Sequence, residues 1–219
     1  MFYDLEDPIQ FAREIESVLA NDGVWHFEQS YMPSMLRTNS YDTICHEHIE
    51  YYSLGVVVKI LEAANLKLVD VVMNNVNGGS FAVTATKASN TSLKINRAVI
   101  DWLLEQEDRM GLNTPKPFRD FEERVFRHRD DLVRLVRALV ADGKKVFGYG
   151  ASTKGNVTLQ FCGFTSADIP VIAEVNPEKF GRVTPGSHIP IVSEVEARAM
   201  KPDYFFVFVW HFKYGILRR

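Results

Sequence analysis

After Asp142-Gly143 the chain alternates short apolar runs with helix-compatible stretches. Lys145–Tyr149 reads as a strand. The glycine-punctuated run GYGASTKGN, Gly148 to Asn156, reads as a tight turn, and VTLQF follows with helical character. IPVIAEV is a second strand, Ser193 caps a short helix, and YFFVFVW is a third strand. Strands separated by helices pair in parallel and bury both sheet faces under those helices. This alternation constrains the chain more than any other feature and assigns residues 143–219 to a small α/β unit.

The first ninety residues carry a different pattern. Asp7-Pro8 is an N-cap with proline at the first helical position, and Ile9, Ala12, Ile15 and Leu19 follow at helical spacing. Gly23–Glu28 reads as a strand and Ser30–Glu50 as a polar loop. Ser53 is placed to cap a helix over Leu54–Ala64. LKLVDVVM and SFAVTATK are strands joined by NNVNGG, whose turn residues suit an antiparallel pair. Leu93–Met110 reads as a helix broken by Pro115 and Pro117. A long helix follows, with Phe118, Phe121, Val125, Leu132, Leu135 and Leu139 on one face. Two α/β units over residues 1–90 and 143–219, joined by a helical segment over 91–142, are the expected organisation.

Composition narrows the function classes. A net charge of −3 over 219 residues points to neither nucleic acid nor an anionic membrane. No apolar run approaches the ~20 residues of a membrane span. Two cysteines form no disulfide framework and suit a reducing cytoplasm.

Three clusters carry candidate chemistry. The run ICHEHIEYYS sets His46 and His48 around Glu47. A zincin helix needs histidines four apart, and the residue four after His46 is Glu50, so zinc is not expected here. A hydrogen-bonded loop and general acid–base chemistry remain open, since a carboxylate can orient an imidazole. In GYGASTKGN, Ser152, Lys154 and Asn156 stand where a helix N-terminus offers N–H groups to an anion. Thr153 occupies the place of the third glycine of a dinucleotide fingerprint, which counts against a nicotinamide cofactor. Glu174, at the end of the second strand, either meets ribose hydroxyls or caps the strand. Arg182 and Thr184, in the loop NPEKFGRVTPG, are placed to contact an anion, or simply shape the loop.

Taken together, FYDLEDP, GVWHFEQSYMPSML, YDTICHEHIEYYS, NNVNGGSF, YGASTKGN, NPEKFGRVTPGSHIPI and VWHF resemble the nucleotide-deoxysugar C-methyltransferases over nearly the whole chain. The resemblance implies S-adenosylmethionine as methyl donor and a nucleotide-linked keto-deoxysugar as substrate. It implies proton abstraction beside the ketone by His48, with Glu47 orienting it and His46 assisting. A donor residue that some relatives carry at the place of Cys45 would here be a weaker hydrogen bonder. Asn77 and Gly78 join Ser152, Lys154, Asn156, Glu174, Arg182 and Thr184 as substrate-binding candidates. The implied fold is the second half of a class I methyltransferase (Rossmann-like) domain, a helical linker, and a smaller Rossmann-like parallel-sheet domain. No glycine precedes Gly23. The main cofactor loop and a zinc-binding domain are therefore expected upstream, and the chain is expected to be a fragment that does not turn over alone. An open sheet edge with an apolar face around Val24, Trp25 and Phe27 could support self-association. A non-catalytic sugar-nucleotide-binding module and an NAD(P)-dependent oxidoreductase are the alternatives.

Overall fold

A computed structural model describes residues 2–218, apart from the side chain of Asn77. The first of its two compact units takes in residues up to Ser40 together with His46–Glu122. The second takes in Tyr41–Cys45 and the residues from Glu123 onward.

In the first unit, the Asp7 carboxylate accepts the Gln10 N–H at 2.8 Å and starts α1 (Pro8–Val18) behind its proline, as expected. Strand β1 (Val24–Ser30) leads into α2 (Met32–Thr38). This helix, with a 3-10 turn at Tyr41–Thr43 that belongs to the second unit, corrects the polar loop expected between Ser30 and Glu50. Pro33 supplies a helical φ at the start, Met32 and Leu36 bury on one side, and Asn39 ends the helix in the left-handed region at φ 58°.

Helix α3 (Leu54–Ala63) precedes β2 (Leu66–Asn74) and β3 (Ser80–Lys87), which form the expected antiparallel hairpin. The sheet order is β1-β3-β2, with β1 also antiparallel to β3. β1 and β2 therefore run parallel to each other, with helices on their crossover. The core packs Leu54, Val57 and Leu61 of α3 against Leu66, Phe81 and Val83 of the sheet. Helix α4 (Arg97–Met110) starts four residues later than expected and adds Ile100 and Leu103 to that core. Trp25 and Phe27 are not the bare face anticipated. They pack against Phe2, at 5.7 and 5.1 Å between ring centres, and only Val24 of the three is exposed.

Helix α5 (Lys116–Ala141) is the long charged helix. Its buried positions are Phe121, Val125 and Val136, whereas Leu135 is 57% exposed and Phe118 is also exposed. A 3.6-residue period carries the apolar stripe through Leu132 to Val136 rather than to Leu135, which corrects the expected face.

The second unit is a four-stranded parallel sheet of order β6-β5-β4-β7: β4 (Val146–Tyr149), β5 (Ile172–Glu174), β6 (Ile191–Ser193) and β7 (Tyr204–Val207). The three strands read from sequence are neighbours in it, and β6 is an addition. All four residues of β4 are buried, as a central strand covered on both faces requires. Helix α6 (Thr153–Cys162) follows β4. Helix α7 (Glu194–Ala199) opens with a capping box between Ser193 and Glu196. A mixed α/β architecture of Rossmann type is thus present. No helix among the described residues is long and apolar enough to cross a membrane.

Candidate functional site

In the first unit, the HEH run is held from both ends. Downstream, Ser53 Oγ caps α3 by accepting the Val56 N–H. The buried Glu107 of α4 accepts the Leu54 and Gly55 N–H groups at 2.6 and 2.8 Å, and the Tyr31 hydroxyl at 2.8 Å. These contacts satisfy three amides that a helix start otherwise leaves open. Burial, reinforced by Glu107, pushes the Tyr31 phenol well above its ordinary range. The Tyr52 ring lies in the core 5.3 Å from Phe2, and burial, then Glu50, pushes its phenol up to about 12.

Upstream, the Ile49 and Glu50 N–H groups both donate to the Tyr3 carbonyl, at 3.1 and 3.0 Å. The half-buried His48 ring meets Tyr3 edge to face at 4.4 Å, with Tyr51 on another side at 6.3 Å. His46 and Glu47 are exposed in the turn before it. Of the three candidates, His48 is the one with aromatic contacts among the described residues, to Tyr3 and Tyr51. Gly78 sits in the β2–β3 connection with φ 90°; the side chain of Asn77 lies outside the described residues.

In the second unit, the GYGAS turn leaves the carboxyl end of β4. Gly150 has φ 89°, and a Cβ there would stand 2.7 Å from Val209, so both backbone and space require glycine. Ser152 Oγ accepts the Gly155 N–H at 3.1 Å and caps α6. Lys154 and Asn156 lie in the first turns of that helix, both half-buried.

Glu174 accepts the N–H groups of Ala151, Val175 and Asn176 at 2.8, 2.7 and 3.1 Å, and Lys179 lies 3.6 Å away. Its carboxylate ties the end of β5 to the GYGAS turn, the capping role of the two weighed for it. Thr184 is only 1% exposed. Its hydroxyl accepts the Ile189 N–H and bonds Ser187 Oγ, so it is committed inside its own loop rather than closing over a ligand. Arg182 is exposed.

Sequence reasoning missed a cluster that joins three of the quoted runs within this unit. The 3-10 turn Tyr41–Thr43 seats the Tyr41 ring 5.4 Å from Phe161, with its hydroxyl 3.2 Å from His128 Nδ1. The adjoining Cys162 thiol is pushed up to about 11 by burial. Asp42, 8% exposed, accepts the Trp210 Nε1–H through Oδ2 at 3.1 Å, and its Oδ1 is buried without a partner. The Lys154 ammonium is lowered below the usual lysine range by burial, against the attraction of Asp42 and Cys45. His211 is lowered by burial and by Lys154, against Asp42, and its Nδ1 is buried without a partner. Among the described residues no set of three or more acidic, histidine or cysteine side chains converges as a metal site requires. The presence of Asp42 in YDTIC and of Trp210 in VWHF was the available signal. Their separation of 168 residues along the chain hid the contact.

The family described as the C-methyltransferase C-terminal domain matches residues 75–219. The C-methyltransferase NovU of Streptomyces niveus is 36% identical over 211 residues, which is 96% of this chain and 50% of that protein. The chain thus spans about half the length of this curated relative.

Proposed function

This chain belongs to the C-methyltransferase C-terminal domain family, and from that premise we propose that it serves an S-adenosylmethionine-dependent methyltransferase acting beside a ketone on a nucleotide-linked deoxysugar. The first unit is read as the closing part of the methyltransferase domain, and the second as the sugar-nucleotide domain. Free Cys45 and Cys162 fit a reducing cytoplasm.

In this reading His48 takes the proton from the carbon beside the carbonyl, and the electron pair left behind forms an enolate. A half-buried imidazole between Tyr3 and Tyr51 has few orientations open to it, which suits a base that must meet one C–H bond. Glu47 and His46, exposed next to it, are the groups through which its proton is oriented and relayed. S-Adenosylmethionine supplies the methyl group when bound. The first unit contains no strand–glycine turn–helix element among its described residues, so the donor is assigned to none of them.

The observation that carries the substrate side is Lys154, a half-buried cation in the first turn of a helix leaving the carboxyl edge of a parallel sheet. Ser152, Lys154 and Asn156 are read as meeting the diphosphate there, with Arg182 contributing from the surface. The test is calorimetry with thymidine and uridine diphosphate sugars. Lys154→Ala should weaken binding about 10- to 100-fold, the range for a charge-assisted hydrogen bond. Unchanged affinity would remove the diphosphate from this turn.

A further inference from the structure

We infer that Asp42 and His211 form a hydroxyl-binding subsite beside Lys154, one that receives a hydroxyl of the sugar nucleotide. The inference rests on the sugar-nucleotide reading above and adds the group recognised and the residues that recognise it.

Asp42 is nine-tenths buried, yet only one of its two oxygens is used: Oδ2 accepts from Trp210, and Oδ1 has no partner. Leaving a buried acceptor unpaired costs about 1–3 kcal/mol, and nearly all such groups in folded proteins find a partner from protein, water or ligand. His211 Nδ1 is a second buried atom in the same condition, on the segment that supplies Trp210. The Asp42–Trp210 hydrogen bond brings His211, the next residue, into the same part of the second unit as Asp42, and Lys154 acts electrostatically with both.

The chemistry of the missing partner follows from those atoms. Asp42 repels an anion, so a phosphate oxygen cannot be the group that meets Oδ1. The partner must donate to a carboxylate, and it must also satisfy an imidazole nitrogen. Burial and the neighbouring Lys154 favour the neutral form of that ring, in which Nδ1 either donates or accepts. A hydroxyl can donate to Oδ1 and accept from an Nδ1–H with one oxygen atom. With the Lys154 ammonium nearby for the anion, the subsite fits a molecule that carries a hydroxyl and a diphosphate on one scaffold. A nucleoside diphosphate sugar offers two sources of that hydroxyl, the pentose and the hexose.

The test uses the 219-residue chain and three probes in calorimetry: thymidine diphosphate glucose, thymidine diphosphate and inorganic pyrophosphate. Asp42→Asn turns the unpaired acceptor toward a donor and removes one negative charge. The expected result has opposite signs for different probes. Thymidine diphosphate glucose should bind at least ~10-fold more weakly, the loss of one charged hydrogen bond, while pyrophosphate should bind equally well or more tightly. A loss confined to the glucose conjugate places the hydroxyl on the hexose; an equal loss for thymidine diphosphate places it on the pentose. His211→Gln, at a half-buried position, should show the same pattern and carries the test if Asp42→Asn melts early. Affinities unchanged for all probes would mean that water alone occupies the subsite, and equal weakening for all three would mean that Asp42 acts only through Lys154 or the fold. Either outcome overturns the inference and leaves the diphosphate reading standing. Failure of the unsubstituted chain to bind any probe would remove both.

Discussion

The two sheets solve the same burial problem differently. In the first unit, β1 alternates exposed with less exposed residues along Val24–Ser30 and pairs only with β3. In the second, β4 is buried at every position and is paired on both sides, by β5 and β7. A strand with one covered face and one open edge is held by fewer interactions than a central strand between two helical layers. The proposed base therefore stands on the less enclosed unit, where the Tyr3 carbonyl upstream and Ser53 with Glu107 downstream hold its loop. The proposed diphosphate turn stands on the more enclosed one, where Glu174 and Gly150 fix the backbone. The difference teaches that the two proposed sites rest on sheets with unequal burial and pairing.

The largest effect should come from the base itself. In the active enzyme, His48→Ala should lower methyl transfer by about 10²–10⁴-fold, the usual range for loss of general base catalysis. Exchange of the sugar's α-proton with deuterated solvent should fall in step, and substrate affinity should change little. Proton exchange at the normal rate in a variant that no longer methylates would take the role from His48.

Next in size is the joint that sets the loop's downstream end. Glu107→Ala leaves the Leu54 and Gly55 amides and the Tyr31 hydroxyl without their acceptor. The expected cost is about 3 kcal/mol, taking ~1–3 kcal/mol for each orphaned buried donor with partial recovery by water. Urea unfolding followed by amide resonances should show residues of the first unit melting earlier while β4–β7 keep their midpoint. A uniform shift of both units would merge the two into one cooperative block.

A native-state measurement sharpens the contrast without mutation. Alternate amides of β1 on its unpaired side should exchange at least ~10-fold faster than those of β4. Equal protection would mean that the β1 edge is covered, and dilution would then test whether a second copy covers it, as proposed for self-association through this edge.

The smallest effect is a pH dependence on the second unit. Burial lowers the Lys154 pKa, so the charged form is disfavoured in the folded state relative to the unfolded chain. Stability should rise slightly as pH climbs through the folded pKa toward the ordinary lysine value of 10.5, where the folded protein sheds that proton first. Pyrophosphate affinity should move the other way and fade below the pH at which a surface lysine would lose its charge. Lys154→Arg keeps its charge across this range and should flatten the affinity profile; an identical decline in the variant would assign the titration elsewhere.

Much of this comparison was legible in the residues. Asp7-Pro8, Ser53 and Ser193 mark helix starts because a side-chain oxygen one position outside a helix meets its open amides, a local matter of a few residues. The parallel order of β4, β5 and β7 followed from the helices between them, and the β2–β3 hairpin from the turn residues of NNVNGG. Helix α2 was not legible, since seven residues with no side-chain cap carry too short a periodic pattern, and they fold onto the core only where Met32, Pro33 and Leu36 find a surface.

The chain by itself determined the capped starts of α1, α3 and α7, and it placed Ser152, Lys154 and Asn156 at the start of one helix, because capping, turn chemistry and periodicity act over spans of a few residues. Only the tertiary structure decided that Thr184 is committed inside its own loop and that Glu174 laces two strand ends together. It alone set Asp42 and Trp210, 168 residues apart, in one hydrogen bond beside Lys154 and His211. Burial and charge proximity are properties of the packed chain, and no local pattern carries them.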